Sequence, residues 1–183
     1  TVDNIRPYMV LAIVEDIIIT DEFLRQLVQL QEKVCLTFGR KRKIVGGGIF
    51  DLDKVTFPLT YKAVKPTELK FKPLDSTKEM TLKQVLQEHP KGIEYAHLLK
   101  DFKRYPVLVD SKGKVLTMPP ITNSNESGKV TEKTRNLLVE MTGTDLDSVK
   151  VALRIFCAAL ADRGGKIKSV TLDYGEEKII TPD

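Results

Sequence analysis

The sequence predicts a mixed α/β fold of α+β character, in which mixed or antiparallel sheets pack with helices in two closely associated subdomains. Three observations lead there. A nearly continuous β-branched run, "YMVLAIVEDIIIT", passes straight into a helical pattern, and two apolar pairs around turns, "YPVLVDSKGKVLTMPP" and "KSVTLDYGEEKIITPD", read as hairpins. Hydrophobic residues at 42% with charged residues at 30% describe a chain able to bury a core. A length of 183 residues suits one domain, 1–183, with possible subdomains at about 1–105 and 106–183. The start at Thr1 without Met reads as a piece of a longer protein.

Taken in order, Tyr8 to Thr20 reads as a strand buried on both faces. Thr20 is suited to cap the following helix, with Asp21 and Glu22 in its first turn, where carboxylates complement the helix dipole. Phe23, Leu27, Leu30 and Val34 then recur at helical spacing up to Leu36. A basic turn, Gly39 to Lys43, leads into "IVGGGIFDLD"; "FPLTYKAV" alternates as an extended segment broken by Pro58, and "KPTELKFKPLD" reads as irregular. Helices are expected from Thr77 to Glu88, ending before Pro90, and from Ile93 to Leu99. The first hairpin turns at Gly113, and a polar loop, "ITNSNESGK", separates it from the strand "RNLLVEMTG". Thr144 and Asp147 have capping-box spacing ahead of the apolar helix "SVKVALRIFCAALADR", which Gly164 and Gly165 stop. The last hairpin turns at Gly175.

Several chemistries are excluded or weakened. Cys35 and Cys157 both lie in apolar helical contexts and read as buried thiols in a reducing cytosol, so a cytoplasmic location is expected. With two histidines, His89 and His97, and no CxxC, no metal site is expected. No apolar run approaches the roughly 20 residues that cross a bilayer. The balance of 29 basic and 25 acidic residues gives +4, which leaves room for local basic patches without making the whole chain polycationic.

Four features carry candidate chemistry. Gly46, Gly47 and Gly48 lack the Lys-Ser/Thr partner of a phosphate-binding loop and read as a bend or a close backbone approach. Arg40, Lys41, Arg42 and Lys43 read either as contacts for nucleic-acid phosphates or as a solvated turn. Asp51 and Asp53 suit either a cation and acid/base work or the capping of a turn. Glu140 interrupts an apolar strand; alternation puts it on one face with Asn136, Leu138 and Thr142, while Leu137, Val139 and Met141 form the other. The second face is core. The first reads as either a pocket wall or a solvated sheet face.

The segments "RPYMVLAIV", "LQEKVCLTFGRKRK", "FDLDKV", "TYKAVKPTELKFKPLDSTKEMT", "YPVLVDSKGKVLTMPPITN", "TRNLLVEMTGTD" and the terminal "TPD" resemble, in order and over nearly the whole chain, the archaeal and eukaryotic phenylalanyl-tRNA synthetase beta subunit in its editing domain, the tRNA-binding B3 and B4 modules. The resemblance implies hydrolysis of tyrosine wrongly attached to phenylalanine tRNA. It implies as partners the tRNA(Phe) acceptor end and, through the full beta subunit, the alpha subunit. No cofactor is implied for this segment, ATP and magnesium belonging to the full synthetase. Carried over by motif, the pocket residues would be Leu108, Thr117, Glu140 and Thr142. Thr117 stands where serine is expected, and Phe50 precedes "DLD" where relatives often have His.

Overall fold

The computed structural model describes residues 1–183. Its elements run β1 (Tyr8–Glu15), α1 (Asp21–Leu36), β2 (Val45–Asp51), β3 (Thr60–Val64), β4 (Lys70–Phe71), β5 (Met80–Thr81), α2 (Leu82–Glu88) and α3 (Pro90–Tyr95). There follow β6 (Tyr105–Val109), β7 (Val115–Met118), β8 (Thr122–Asn123), β9 (Leu137–Gly143), α4 (Leu146–Asp162), β10 (Lys166–Asp173) and β11 (Lys178–Thr181). Every strand pair is antiparallel. The expected α+β class is what forms.

The chain divides into two compact units, Thr1–Pro7 with Lys54–Lys129, and Tyr8–Asp53 with Val130–Asp183. The expected boundary near residue 105 is therefore corrected. A cut there would remove β6 from β3, with which it pairs from Thr60↔Val109 to Val64↔Tyr105.

The second unit is built on a five-stranded sheet in the order β11-β10-β1-β9-β2. Val10, Ala12 and Val14 of β1, Leu137, Val139 and Met141 of β9, and Val45 and Ile49 of β2 share one face. Against it α1 contributes Phe23, Leu27 and Val34, and α4 contributes Val149, Ala152, Leu153, Phe156, Cys157 and Leu160. Each large side chain fully buried there contributes roughly 1.5–3 kcal/mol. As expected, Thr20 caps α1, its side chain accepting from Phe23 N–H at 3.1 Å. The preceding strand is shorter than its apolar run suggests. It ends at Glu15, and Asp16 takes a left-handed φ of 55°. For α4 the expected cap is displaced by one residue: Asp145, not Thr144, accepts from Ser148 N–H at 2.9 Å. Hydrogen bonds from Ser148 to the carboxylate lower the Asp145 pKa.

The first unit holds a four-stranded sheet, β3-β6-β7-β8, and the β4-β5 pair. Its core gathers Val64, Phe71, Leu82, Val85, Leu86, Tyr95, Leu99, Val107, Met118 and Ile121. The helix expected from Thr77 begins only at Leu82, because Met80 and Thr81 pair with Phe71 and Lys70 and Thr81 then closes a capping box with Gln84. The next helix starts earlier than expected, at Pro90, whose fixed φ suits a first helical turn. Inside the polar loop, Thr122 and Asn123 pair with Met118 and Thr117.

Candidate functional site

Register places the residues around Glu140. On the face of the sheet opposite α1 and α4, Glu140 stands between Leu11 of β1 and Gly48 of β2. One row along, Thr142 stands between Met9 and Gly46; one row back, Leu138 stands between Ile13 and Phe50. Directly opposed residues in an antiparallel pair point to the same face, with Cβ atoms about 4.5–5.5 Å apart. Glu140 is thus the centre of a patch with apolar side chains on its β1 side and two glycines on its β2 side.

This face is not solvated. Glu140 is 2% exposed and Thr142 1%, and Met9, Leu11, Phe50 and Leu138 are buried with them. A carboxylate taken out of water costs several kcal/mol unless it is bonded. Both Glu140 and Thr142 have polar partners within the chain, and no buried side-chain nitrogen or oxygen lacks a hydrogen bond.

The triple glycine resolves by face. Gly47 lies on the core side, where a Cβ would collide with Met141 Sδ, and its carbonyl accepts from Gln31 Nε2 of α1 at 2.7 Å. It is the close approach expected of this run. Gly46 and Gly48 belong to the Glu140 face, an assignment made by strand pairing and invisible in the residue order.

Leu108 and Thr117, the other two expected pocket residues, are directly paired across β6 and β7. The row extends to Tyr61 on β3 and Asn123 on β8. Leu108 is 1% and Thr117 2% exposed, and Thr117 donates to the Thr122 carbonyl at 3.2 Å. The structure therefore brings Leu108 together with Thr117 in the first unit and Glu140 together with Thr142 in the second.

Asp51 and Asp53 cap a turn. Asp51 Oδ1 accepts from Asp53 N–H at 3.1 Å, and Asp53 accepts from Asn136 Nδ2 at 3.3 Å. No group of His, Cys, Asp and Glu is arranged to hold a metal ion. Phe50 is wholly buried. Arg40, Lys41 and Arg42 form a left-handed turn at the end of α1, with φ of 48°, 53° and 67°.

One feature has no sequence signal. A cleft of about 470 Å³ in the second unit is lined by Tyr8, Leu146, Tyr174, Glu176 and Glu177. Tyr8 and Tyr174 lie with ring centroids 6.4 Å apart, and Tyr174 bridges both backbone groups of Met9, accepting from its N–H at 3.2 Å and donating to its carbonyl at 2.6 Å. Burial raises the Tyr174 pKa.

The fold and the buried polar row define a class. The chain belongs to the B3/4 domain family, whose model matches residues 21–162. Over 180 residues, 98% of this chain, it is 56% identical to the phenylalanine–tRNA ligase beta subunit of Thermococcus kodakarensis. It is 54% identical over the same length to the beta subunit of Pyrococcus furiosus. The crystal structure of an N-terminal fragment of the phenylalanyl-tRNA synthetase beta subunit from Pyrococcus horikoshii matches with a TM-score of 0.97 at 51% identity, covering 100% of this chain and 52% of that one. The chain spans 31% and 32% of the two curated relatives. No helix is long and apolar enough to cross a membrane.

Proposed function

We propose that this chain is the editing domain of a cytoplasmic phenylalanine–tRNA ligase beta subunit and hydrolyses tyrosine from mischarged Tyr-tRNA(Phe). The observation that carries the reading is Glu140, a carboxylate 2% exposed at the centre of a buried face otherwise lined by apolar residues, threonine and glycine. Tyrosine and phenylalanine differ by one hydroxyl. A site that hydrogen-bonds such a group discriminates by about 10⁴ to 10⁵ against the analogue without it. A phenolic O–H donating to a carboxylate is a charge-assisted bond, roughly twice as strong as a neutral one. Glu140 accepts the phenol, and Thr142, two residues along the same strand, helps to place it.

In the reaction, a bound water attacks the aminoacyl ester carbonyl. The carbon–oxygen bond to the terminal ribose breaks, tyrosine leaves with the new oxygen, and the ribose oxygen recovers the water's proton. The ribose hydroxyl beside the ester is the group nearest to orient that water. ATP and magnesium serve the aminoacylation site of the whole synthetase, which this segment meets only through the rest of the beta subunit and its alpha partner.

A second reading makes the segment a tRNA-docking and assembly module without hydrolytic activity, and it draws on Phe50: the position beside Asp51 carries a buried side chain with no proton to exchange. One assay decides between them. Tyr-tRNA(Phe) and Phe-tRNA(Phe) are incubated with the chain and with Glu140→Ala, and ester loss is followed. Editing requires release of tyrosine with phenylalanine spared, and loss of that release in a folded variant. Absence of deacylation by the unaltered chain leaves the docking module.

A further inference from the structure

The end of α1 joins the densest run of cations in the chain to an unusual backbone. Arg40, Lys41 and Arg42 are three successive left-handed residues, a conformation that costs roughly 1–2 kcal/mol for each residue bearing a Cβ and normally occurs singly. Hydrogen bonds to the helix hold it there. Gly39 N–H donates to the Val34 carbonyl at 2.7 Å, Lys41 N–H to Leu36 at 3.0 Å and Arg42 N–H to Cys35 at 2.9 Å. The turn thus satisfies the last carbonyls of α1, the groups that a helix end leaves without partners.

Capping of this kind is met with less strain by glycine or asparagine. Here the positions carry arginine and lysine instead. Cations at a helix C-terminus gain about 0.3–1 kcal/mol from the dipole, which does not offset three strained residues. Because the turn's amides are already donated to backbone carbonyls of α1, of Thr37 and of the turn itself, an anion here is held by side chains alone. Arg40, Lys41 and Lys43 are exposed, with Lys33 in the last turn of the helix and Phe38 43% exposed between them in sequence. Arginine and lysine on a fixed turn suit successive phosphates, and an exposed ring offers a stacking surface to an unpaired base.

We propose that this left-handed turn is a preorganised docking point for the phosphate backbone of RNA, with Arg40 and Lys41 as its principal exposed cations. The inference rests on a tRNA being the substrate and adds the surface that would hold it. The test is the double variant Arg40→Asn/Lys41→Asn. Asparagine tolerates the left-handed region and carries no charge, so the variant eases the turn while removing its cations. Unaltered and variant chains are compared by thermal unfolding, by binding of a labelled tRNA(Phe) transcript from low to moderate salt, and by deacylation kinetics.

The expected result is an unchanged or higher Tm, tRNA affinity lower by about tenfold or more at low salt, and a salt slope reduced by about 2, one for each phosphate no longer neutralised. KM for the charged tRNA should rise with kcat unchanged. A control, Lys70→Asn/Lys72→Asn, makes the same change in net charge on other exposed positions. Equal losses in control and variant, an unchanged slope in the variant, or absence of tRNA binding by the unaltered chain would each overturn the proposal. So would tighter binding to vesicles of phosphatidylserine and phosphatidylcholine than to tRNA at the same salt. If the double variant loses its fold, Lys41→Asn alone decides, through a slope reduction near one. Binding is scored without reference to ester hydrolysis, so failure of the turn and failure of the editing reading are seen separately.

Discussion

At Glu140 the sequence left open a choice that burial closes: alternation separates the two faces of a strand but does not say whether the less apolar one meets water. A carboxylate 2% exposed among Leu11, Leu138 and Thr142 is not a solvated residue. Its function and that of Thr142 are separable by conservative changes. Glu140→Gln keeps shape and loses charge, and should slow release of tyrosine by about 10- to 100-fold, the 1.5–3 kcal/mol of a charged hydrogen bond. Thr142→Val should cost about 2- to 10-fold, the range of a neutral one. Equal effects from the two changes would remove the carboxylate from its special position. Cys157 gives a residue-scale prediction about stability. Burial against the sheet pushes its thiol up to about 11 from 9.0, so between those values the unfolded chain has lost a proton that the folded chain keeps. Unfolding is then increasingly favoured as pH rises, and the contribution of this group should fall by roughly 2 kcal/mol between pH 9 and 11 while changing little below about pH 8. Denaturant titrations of the unaltered chain and Cys157→Ala across that range should differ in slope; parallel curves would refute the assignment.

Among the elements, those written in local chemistry were legible and those written in pairing were not. Thr20, Asp21, Glu22 and the spacing of Phe23, Leu27 and Val34 foretell α1 because cap, dipole and apolar face agree. The end of the same helix was hidden, since nothing in "GRKRK" marks left-handed residues; arginine and lysine are not the side chains that favour them. Thr144 and Asp145 can both cap α4, and the spacing to Asp147 favours Thr144, whereas the cap that forms is Asp145. The short strands β4, β5 and β8, two residues each, exist only through their partners and leave no periodicity to read. Gly39 is the residue on which the end of α1 turns. Its amide donates to Val34 and its carbonyl accepts from Ile44 N–H at 2.9 Å, while a Cβ would collide with the Val45 carbonyl and stand 2.7 Å from that of Cys35. Both obstacles are backbone, so neither can rotate away. Gly39→Ala should therefore destabilise the chain by about 3 kcal/mol or more, measured as a lower denaturant midpoint with unchanged slope. A loss below about 1 kcal/mol would mean the turn can shift as a whole.

For the whole molecule, the decisive fact is that the second unit is discontinuous, Tyr8–Asp53 with Val130–Asp183, with Lys54–Lys129 belonging to the first. The boundary expected near residue 105 failed because hydrophobic pattern marks strands but not which strands pair; β6 belongs with β3, far back in the chain. The same topology has a consequence for folding. In the five-stranded sheet β9 lies between β1 and β2, which share no hydrogen bonds of their own. Until residues 137–143 are present, the two amino-terminal strands of that unit have no partner, and the core on Val10, Val14 and Ile49 lacks Val139, Met141 and all of α4. The first unit has no such dependence, for its strands and the core on Leu82, Val85, Val107 and Met118 lie within residues 1–7 and 54–129. A chain ending at Lys129 should accordingly protect the backbone amides of β3, β6 and β7 from hydrogen exchange and leave those of β1 and β2 exchanging as in an unfolded chain. Protection of β1 or β2 in that truncated chain would show that the second unit forms without its central strand, and the division into two units would have to be redrawn.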